Sequence, residues 1–416
     1  MVAATLLCGG ATLVQAQHVH GAAPGALDSA AGATAAAPAA SAGRTGMSAK
    51  RRPQLATGPA FAPDGRLWIA AMDGGGHLTL RQSADAGAHW SAPQVLDTAG
   101  DVIAADGEQR PKLAFGPKGA VLIAYTKPLA KPYTGEIRLL RSADGGQTFA
   151  PPITVHSDRQ VITHRFESMA FDAKGRLHVV WIDKRDGEAA AAASGDAKAY
   201  RGAGIYHAVS VDGGASFGPD LRLAEHSCEC CRIALAATPD GGMAALWRHV
   251  FAPNQRDHGF ARLDTDRTVE PVRATLDQWA IDACPHHGPG LAPAAAGGGY
   301  HAVWFGVRDG VPAVRYGRLN ADGSPQGAAQ PLPDAVAEHA DVISAGPRVA
   351  VVWRSFDGQL TRLRAWLSAD DGRTFRLQEL GQSADENDHP RLAGHGEALY
   401  AIWRTTAGVQ VVPLQP

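Results

Sequence analysis

The chain has little cysteine, few aromatics and almost no net charge. Five cysteines, 6% aromatic residues and a formal charge of -2 are spread over 416 residues. Near-balanced charge gives no basic field for nucleic acid and no polyionic tail. Past the N-terminus no apolar run is long enough to cross a bilayer as a helix. Sustained helical periodicity is also missing. With 45% hydrophobic residues, the composition is that of an ordinary globular chain.

Residues Met1–Ala16 are small and apolar, and Val14-Gln15-Ala16 reads as a small-x-small cleavage site. The expectation is an export signal over 1–16, cleaved near Ala16, and a periplasmic or secreted protein. Its one missing mark is a basic n-region, since no Lys or Arg precedes Arg44. A lipoprotein signal at Cys8 is poorly supported, because Leu7 stands where a small residue is wanted. Residues 17–50 are Ala, Gly, Ser and Pro, which bury too little surface to offset chain entropy, so a disordered linker is expected. His18 and His20 read as a chance pair there, with a metal-catching tail as the alternative.

Two signals recur with a period of about 50–60 residues, the range of propeller blades. One is S-x-D-x-G-x-x-aromatic, at Ser83–Trp90, Ser142–Phe149, Ser210–Phe217 and Ser368–Phe375, with a worn copy at Asn320–Gly323. The carboxylate can accept from backbone N–H groups, Gly supplies positive φ, and the aromatic packs beneath the hairpin. The other is a short apolar strand, a Gly turn and a strand ending at Tyr125, Trp181, Trp247, Trp304, Trp353 or Trp403. A matching unit at Leu67–Met72 has Ala71 at the aromatic position. The aromatics read as core between blades. The predicted fold is an all-β propeller over 51–416, of four-stranded blades, seven by this count and six as the alternative.

These Asp boxes and their spacing resemble the sialidase-like BNR-repeat propellers, over about residues 51–416. The resemblance implies that the boxes lie between the third and fourth strands. The loops leading into the innermost strands then open on the opposite face, around a central channel. Those loops carry Arg52, Arg110, His164-Arg165-Phe166-Glu167, Cys228-Glu229-Cys230-Cys231-Arg232, Cys284-Pro285-His286-His287, His339-Ala340-Asp341 and Asp388-His389-Pro390-Arg391.

The cysteines are the sharpest feature of that set. Thiolate and imidazole suit Cu(I) or Zn(II), so Cys228, Cys230, Cys231 and Cys284, with His286 or His287, form a candidate metal site. Copper ranks ahead of zinc. His249 and His258 are candidate outer ligands. Two other readings stay open: a disulfide from Cys228 or Cys231 to Cys284, normal in an exported chain, and a redox-active pair.

The resemblance also implies a sialidase reading. Arg52, Asp73 and Arg248 stand near the family's first arginine, acid and second arginine. Arg308 and Arg354 compete for the third arginine, and Tyr316 is the best of a poor set of nucleophiles. The Cys-rich loop stands where the family's glutamate is wanted, which counts against turnover. The third reading is a protein-interaction scaffold with structural disulfides, and the insertion Asp183–Gly204 is expected to be a surface loop, with a short helix over Ala189–Ala193 as the alternative. The reading carried forward is a periplasmic, copper-binding, monomeric propeller for sequestration, delivery or acquisition. A periplasmic or outer-membrane protein is its possible partner.

Overall fold

The computed structural model describes residues 54–415 apart from 197, 198, 264–266, 284 and 296. The export signal, the linker, His18, His20, Arg52 and Cys284 lie outside the described residues.

The chain forms seven antiparallel sheets in sequence order. Blade 1 comprises Thr57–Phe61, Leu67–Met72, Leu78–Ser83 and Gln94–Val95, and blade 2 runs from Lys112–Phe115 to Ala150–Thr154. Blade 3 spans His164–Phe171 to Leu221–Ser227, and blade 4 spans Ala234–Ala237 to Val272–Arg273. Blade 5 spans Gly290–Pro293 to Pro325–Pro331, and blade 6 spans Ala337–Ala345 to Arg376–Ser383. Blade 7 shows three strands among the described residues, Arg391–His395, Ala398–Thr405 and Gly408–Leu414. The first strand of each blade touches the first strand of the next, and blade 7 returns to blade 1. That closed ring of inner strands makes the fold a propeller.

The second strands are apolar along their length because both of their faces are covered. Seven buried clusters each straddle two neighbouring blades, including blades 7 and 1. Tyr125, Trp181, Trp247, Trp304, Trp353 and Trp403 each sit in one of them, and Ala71 takes the seventh place. The expectation that these aromatics are core between blades holds.

The four clean boxes close alike on the turn between third and fourth strands. The serine Oγ accepts the glycine N–H at 2.7–2.9 Å, and the Asp Oδ1 accepts the N–H two residues further on at 2.8–3.0 Å. The glycines take φ of 94°, 85°, 85° and 76°, which a side chain would resist. Antiparallel alternation puts these turns on one face of the ring, and the lead-in loops with the second-to-third-strand loops on the other.

The insertion in blade 3 is not the plain loop but takes the alternative, a helix that contains Ala189–Ala193. It holds an α-helix at Arg185–Ser194, built on Glu-Ala-Ala-Ala-Ala-Ala. Tyr206 anchors it by donating its hydroxyl to Asp186 at 3.0 Å.

Candidate functional site

Blade 3 hands over to blade 4 through Cys228–Ile233. The Cys228 N–H donates to Arg248 O at 2.9 Å, which ties the loop to blade 4. Behind that anchor the chain turns tightly enough to face three sulfurs inward. The Sγ separations are 3.7 Å for Cys228–Cys230 and 3.9 Å for both Cys230–Cys231 and Cys228–Cys231. All three are buried among Phe166, Ile233 and Trp247, and none is disulfide-bonded to another of the three. A hydrogen bond with Cys228, helped by burial, pushes the Cys231 thiol well above its usual range. Three neighbouring thiols cannot all ionise there without a cation.

The entries to blades 4, 6 and 7 meet around Glu108 of the blade 2 lead-in loop, a buried carboxylate that the sequence reading passed over. Arg232 of blade 4 reaches both its oxygens at 3.3 and 3.2 Å. His339 Nδ1 lies 3.3 Å and His389 Nδ1 3.5 Å from Oε1, while Arg391 Nη2 stands 4.0 Å from Oε2. Burial raises the Glu108 pKa, but Arg232 outweighs it, with His339 and His389, and holds the group well below the carboxylate range. Burial drives His287, His339 and His389 far below the normal histidine value. The three rings stack, His287 on His339 at 4.3 Å and His339 on His389 at 3.3 Å between centroids. Beside them Arg110 grips Asp388 with two contacts of 2.9 and 3.1 Å. Arg165 donates to Gln109 at 2.6 Å. Loops remote in sequence therefore do converge at one mouth.

Gly288 shows how tightly the mouth is packed. A Cβ there would stand 2.7 Å from Arg232 N. Only glycine lets blade 5 pass that close to the arginine.

The structure divides the expected metal set. Cys228, Cys230 and Cys231 form one metal-sized group, whereas His287 joins Glu338 and His339 in another. His286 is exposed at φ 54°. His258 is buried near Cys228, and its Nε2 has no hydrogen-bond partner among the described residues. The indole N–H of Trp247 lacks one too, although Trp181, Trp304 and Trp353 each donate to a carboxylate. His156, His207 and His301 are buried beside ring or carboxylate neighbours, as structural residues are.

The candidate sialidase residues are otherwise engaged. Arg248 is buried and donates to Arg256 O, His287 O and Phe305 O at 3.2, 3.0 and 2.7 Å, which occupies both its terminal nitrogens. Asp73 accepts the His77 and Gly75 N–H groups at 2.8 Å, and the His77 bond above all lowers its pKa, the wrong direction for an acid catalyst. Arg354 binds Glu338 and Asn387, and Arg308 binds Asp277. Tyr316 is buried with its hydroxyl 2.7 Å from His301 Nδ1, near the box-side residue Asp371.

No protein-family profile matches the chain, and no curated protein matches it in sequence. Solved structures do match. A Kuenenia stuttgartiensis hydrazine synthase chain superposes with TM-score 0.54 at 10% identity, covering 89% of this chain and 99% of that one. A polysaccharide lyase, an ulvan lyase, gives 0.52 at 12%, covering 87% and 92%. A Hadza microbial sialidase gives 0.47 at 14%, covering 82% and 74%. At such identities the first two likenesses speak for the fold alone.

Proposed function

We propose that this chain is an exported metal-binding propeller that holds one soft ion, Cu(I), on Cys228, Cys230 and Cys231. Its role would be sequestration, delivery or acquisition of that ion. The supporting observation is the sulfur triangle. Its edges of 3.7, 3.9 and 3.9 Å give a circumradius of about 2.2 Å, close to a metal–thiolate bond of about 2.3 Å. An ion near the centre reaches all three sulfurs with no change of backbone. A three-sulfur set suits Cu(I), whereas zinc asks for a fourth ligand. Arg165 and Arg248 place positive charge near the thiols, easing the negative charge of a buried copper–thiolate centre. Cys284 is the candidate fourth sulfur, and its participation would shift the preference towards zinc.

The test is copper and zinc analysis of protein purified anaerobically, with thiol titration in denaturant plus chelator. Near one equivalent of copper is expected. Free thiols are expected at Cys228, Cys230 and Cys231 once the ion is stripped. Replacing Cys230→Ser and Cys231→Ser together should remove most of the copper, because a hydroxyl is a poor Cu(I) ligand. Undiminished copper in the double variant overturns the assignment. Disulfide-bonded cysteines throughout would establish the scaffold reading instead.

A further inference from the structure

We infer that the channel mouth carries a second, separate metal site, formed by Glu108 Oε1, His339 Nδ1 and His389 Nδ1, for a borderline divalent ion such as Zn(II), Co(II) or Fe(II). Glu108 and His389 come from the lead-in loops of blades 2 and 7 and His339 from the start of the first strand of blade 6, all are buried, and one donor atom from each lies within 4.8 Å of the others. Two imidazoles and one carboxylate form a donor set for such ions, unlike the all-sulfur triangle of blades 3 and 4. This site does not depend on the cysteine reading.

The spacing fits ligands on one ion once the His389 ring tilts off the face of His339, on which it stacks at 3.3 Å between centroids. Ligand atoms on one tetrahedral ion, at bonds of about 2.1 Å, stand about 3.4 Å apart. Oε1 lies 3.3 Å from His339 Nδ1 and 3.5 Å from His389 Nδ1. Both are longer than a good N–H···O bond, whose upper range is about 3.2 Å. His389 Nδ1 is buried without a hydrogen-bond partner among the described residues, although it faces the carboxylate. A buried polar nitrogen left unsatisfied is costly, and a bound ion would satisfy it.

The surroundings resemble the outer support of a metal carboxylate. Arg232 bridges both Glu108 oxygens and fixes the plane of the carboxylate. Positive charge there is balanced locally. Asp341 lies 3.9 Å from Arg232 and 3.7 Å from Arg391, and Glu338 pairs with Arg354 at 3.0 Å. His287 is the reserve ligand: it stacks on His339, joins it in an overlapping group with Glu338, and its Nδ1 also lacks a partner among the described residues. An ion here would pin blade 2 to blades 6 and 7 across the mouth.

The experiment uses the full chain carrying Cys230→Ser and Cys231→Ser, which disables the thiolate site, and His18→Ala with His20→Ala, which silences the N-terminal pair. Co(II) is titrated and followed by absorbance. One equivalent is expected, with weak visible bands of a nitrogen–oxygen site and without sulfur-to-cobalt charge transfer. His389→Ala should weaken Co(II) binding at least tenfold, and Glu108→Asp should retain part of it. Nitrogen NMR of 15N-histidine-labelled protein gives an answer without altering the site: Zn(II) should shift two imidazole Nδ1 signals. Folded protein that takes up no Co(II), binding unchanged by His389→Ala, or unmoved imidazole signals would each overturn the site. Failure of copper to bind the parent protein would count against the sulfur site alone.

Discussion

Arg232 and Glu108 stand 124 residues apart in the chain and meet at 3.2 Å across the channel mouth. Both are buried, so each depends on the other to stay charged there. Replacing Arg232→Met leaves Glu108 buried without its main counter-charge, which should destabilise the fold by about 3–5 kcal/mol. Urea unfolding would measure it. Adding Glu108→Gln to the same chain should recover part of the loss, and a double variant less stable than Arg232→Met alone would refute the pairing.

Stability should also fall as pH drops below about 6.5. Burial is the main cause lowering His156 to about 3 and His207 and His301 to about 4. The unfolded chain takes up these protons below the free-histidine value of about 6.5, while the folded chain refuses them. The stabilisation is therefore complete above that pH and is lost progressively as pH falls towards the folded values. Each residue contributes a slope of up to roughly 1.4 kcal/mol per pH unit. Urea midpoints at pH 7.5, 6.5 and 5.5 would read it, and a flat profile would show that the rings protonate in place.

The box turns offer a graded pair. Ser142→Ala removes the acceptor of the buried Gly146 N–H and should cost about 1–3 kcal/mol. Gly146→Ala should cost more, because φ is 85° and a Cβ would stand 2.6 Å from the Trp68 ring. Thermal unfolding ranks the two. Neither should change metal content, and a loss of bound metal in either would show that the faces communicate.

Two tryptophans in equivalent places should respond differently to the same change. Trp304→Phe leaves Asp277 without the indole donor it holds at 2.7 Å, whereas the Trp247 indole N–H has no such partner among the described residues. Trp304→Phe should therefore be the more damaging, by about 1–3 kcal/mol. Equal losses, by urea titration, would mean that Trp247 has a polar partner after all.

Much of the fold was legible because its signals are local and repeated. A Ser-x-Asp-x-Gly turn specifies its own hydrogen bonds within five residues, so Ser142, Asp144 and Gly146 reveal a strand junction wherever they occur. The Trp181 and Trp353 positions could be assigned to the core for the same reason. Convergence at the mouth followed from the fold, and His339, His389 and Arg232 were all placed there. Their pairings were not legible. Glu108 carries no local mark, and its importance comes from residues on blades 4, 6 and 7. The stacking of His287 on His339 was not legible either, because adjacent loops suggest a centre shared with the cysteines and carry no mark of the ring on blade 6. Ala-rich composition suggested a short helix over Ala189–Ala193, but its extent over Arg185–Ser194 goes with the contact between Asp186 and Tyr206 of the next strand, which composition does not reveal.

The antiparallel weave separates what repeats from what does not. Box turns hold one rim of the ring, and every irregular loop with Cys228, Glu108 or His389 hangs from the other. Mutations on the second rim can accumulate without disturbing the hydrogen bonds that close the first. A lineage can thus rewrite one rim while inheriting the other intact. The rims are also addressable separately: a tag or surface anchor attached at a box turn would leave the chemistry of the mouth facing freely away from it.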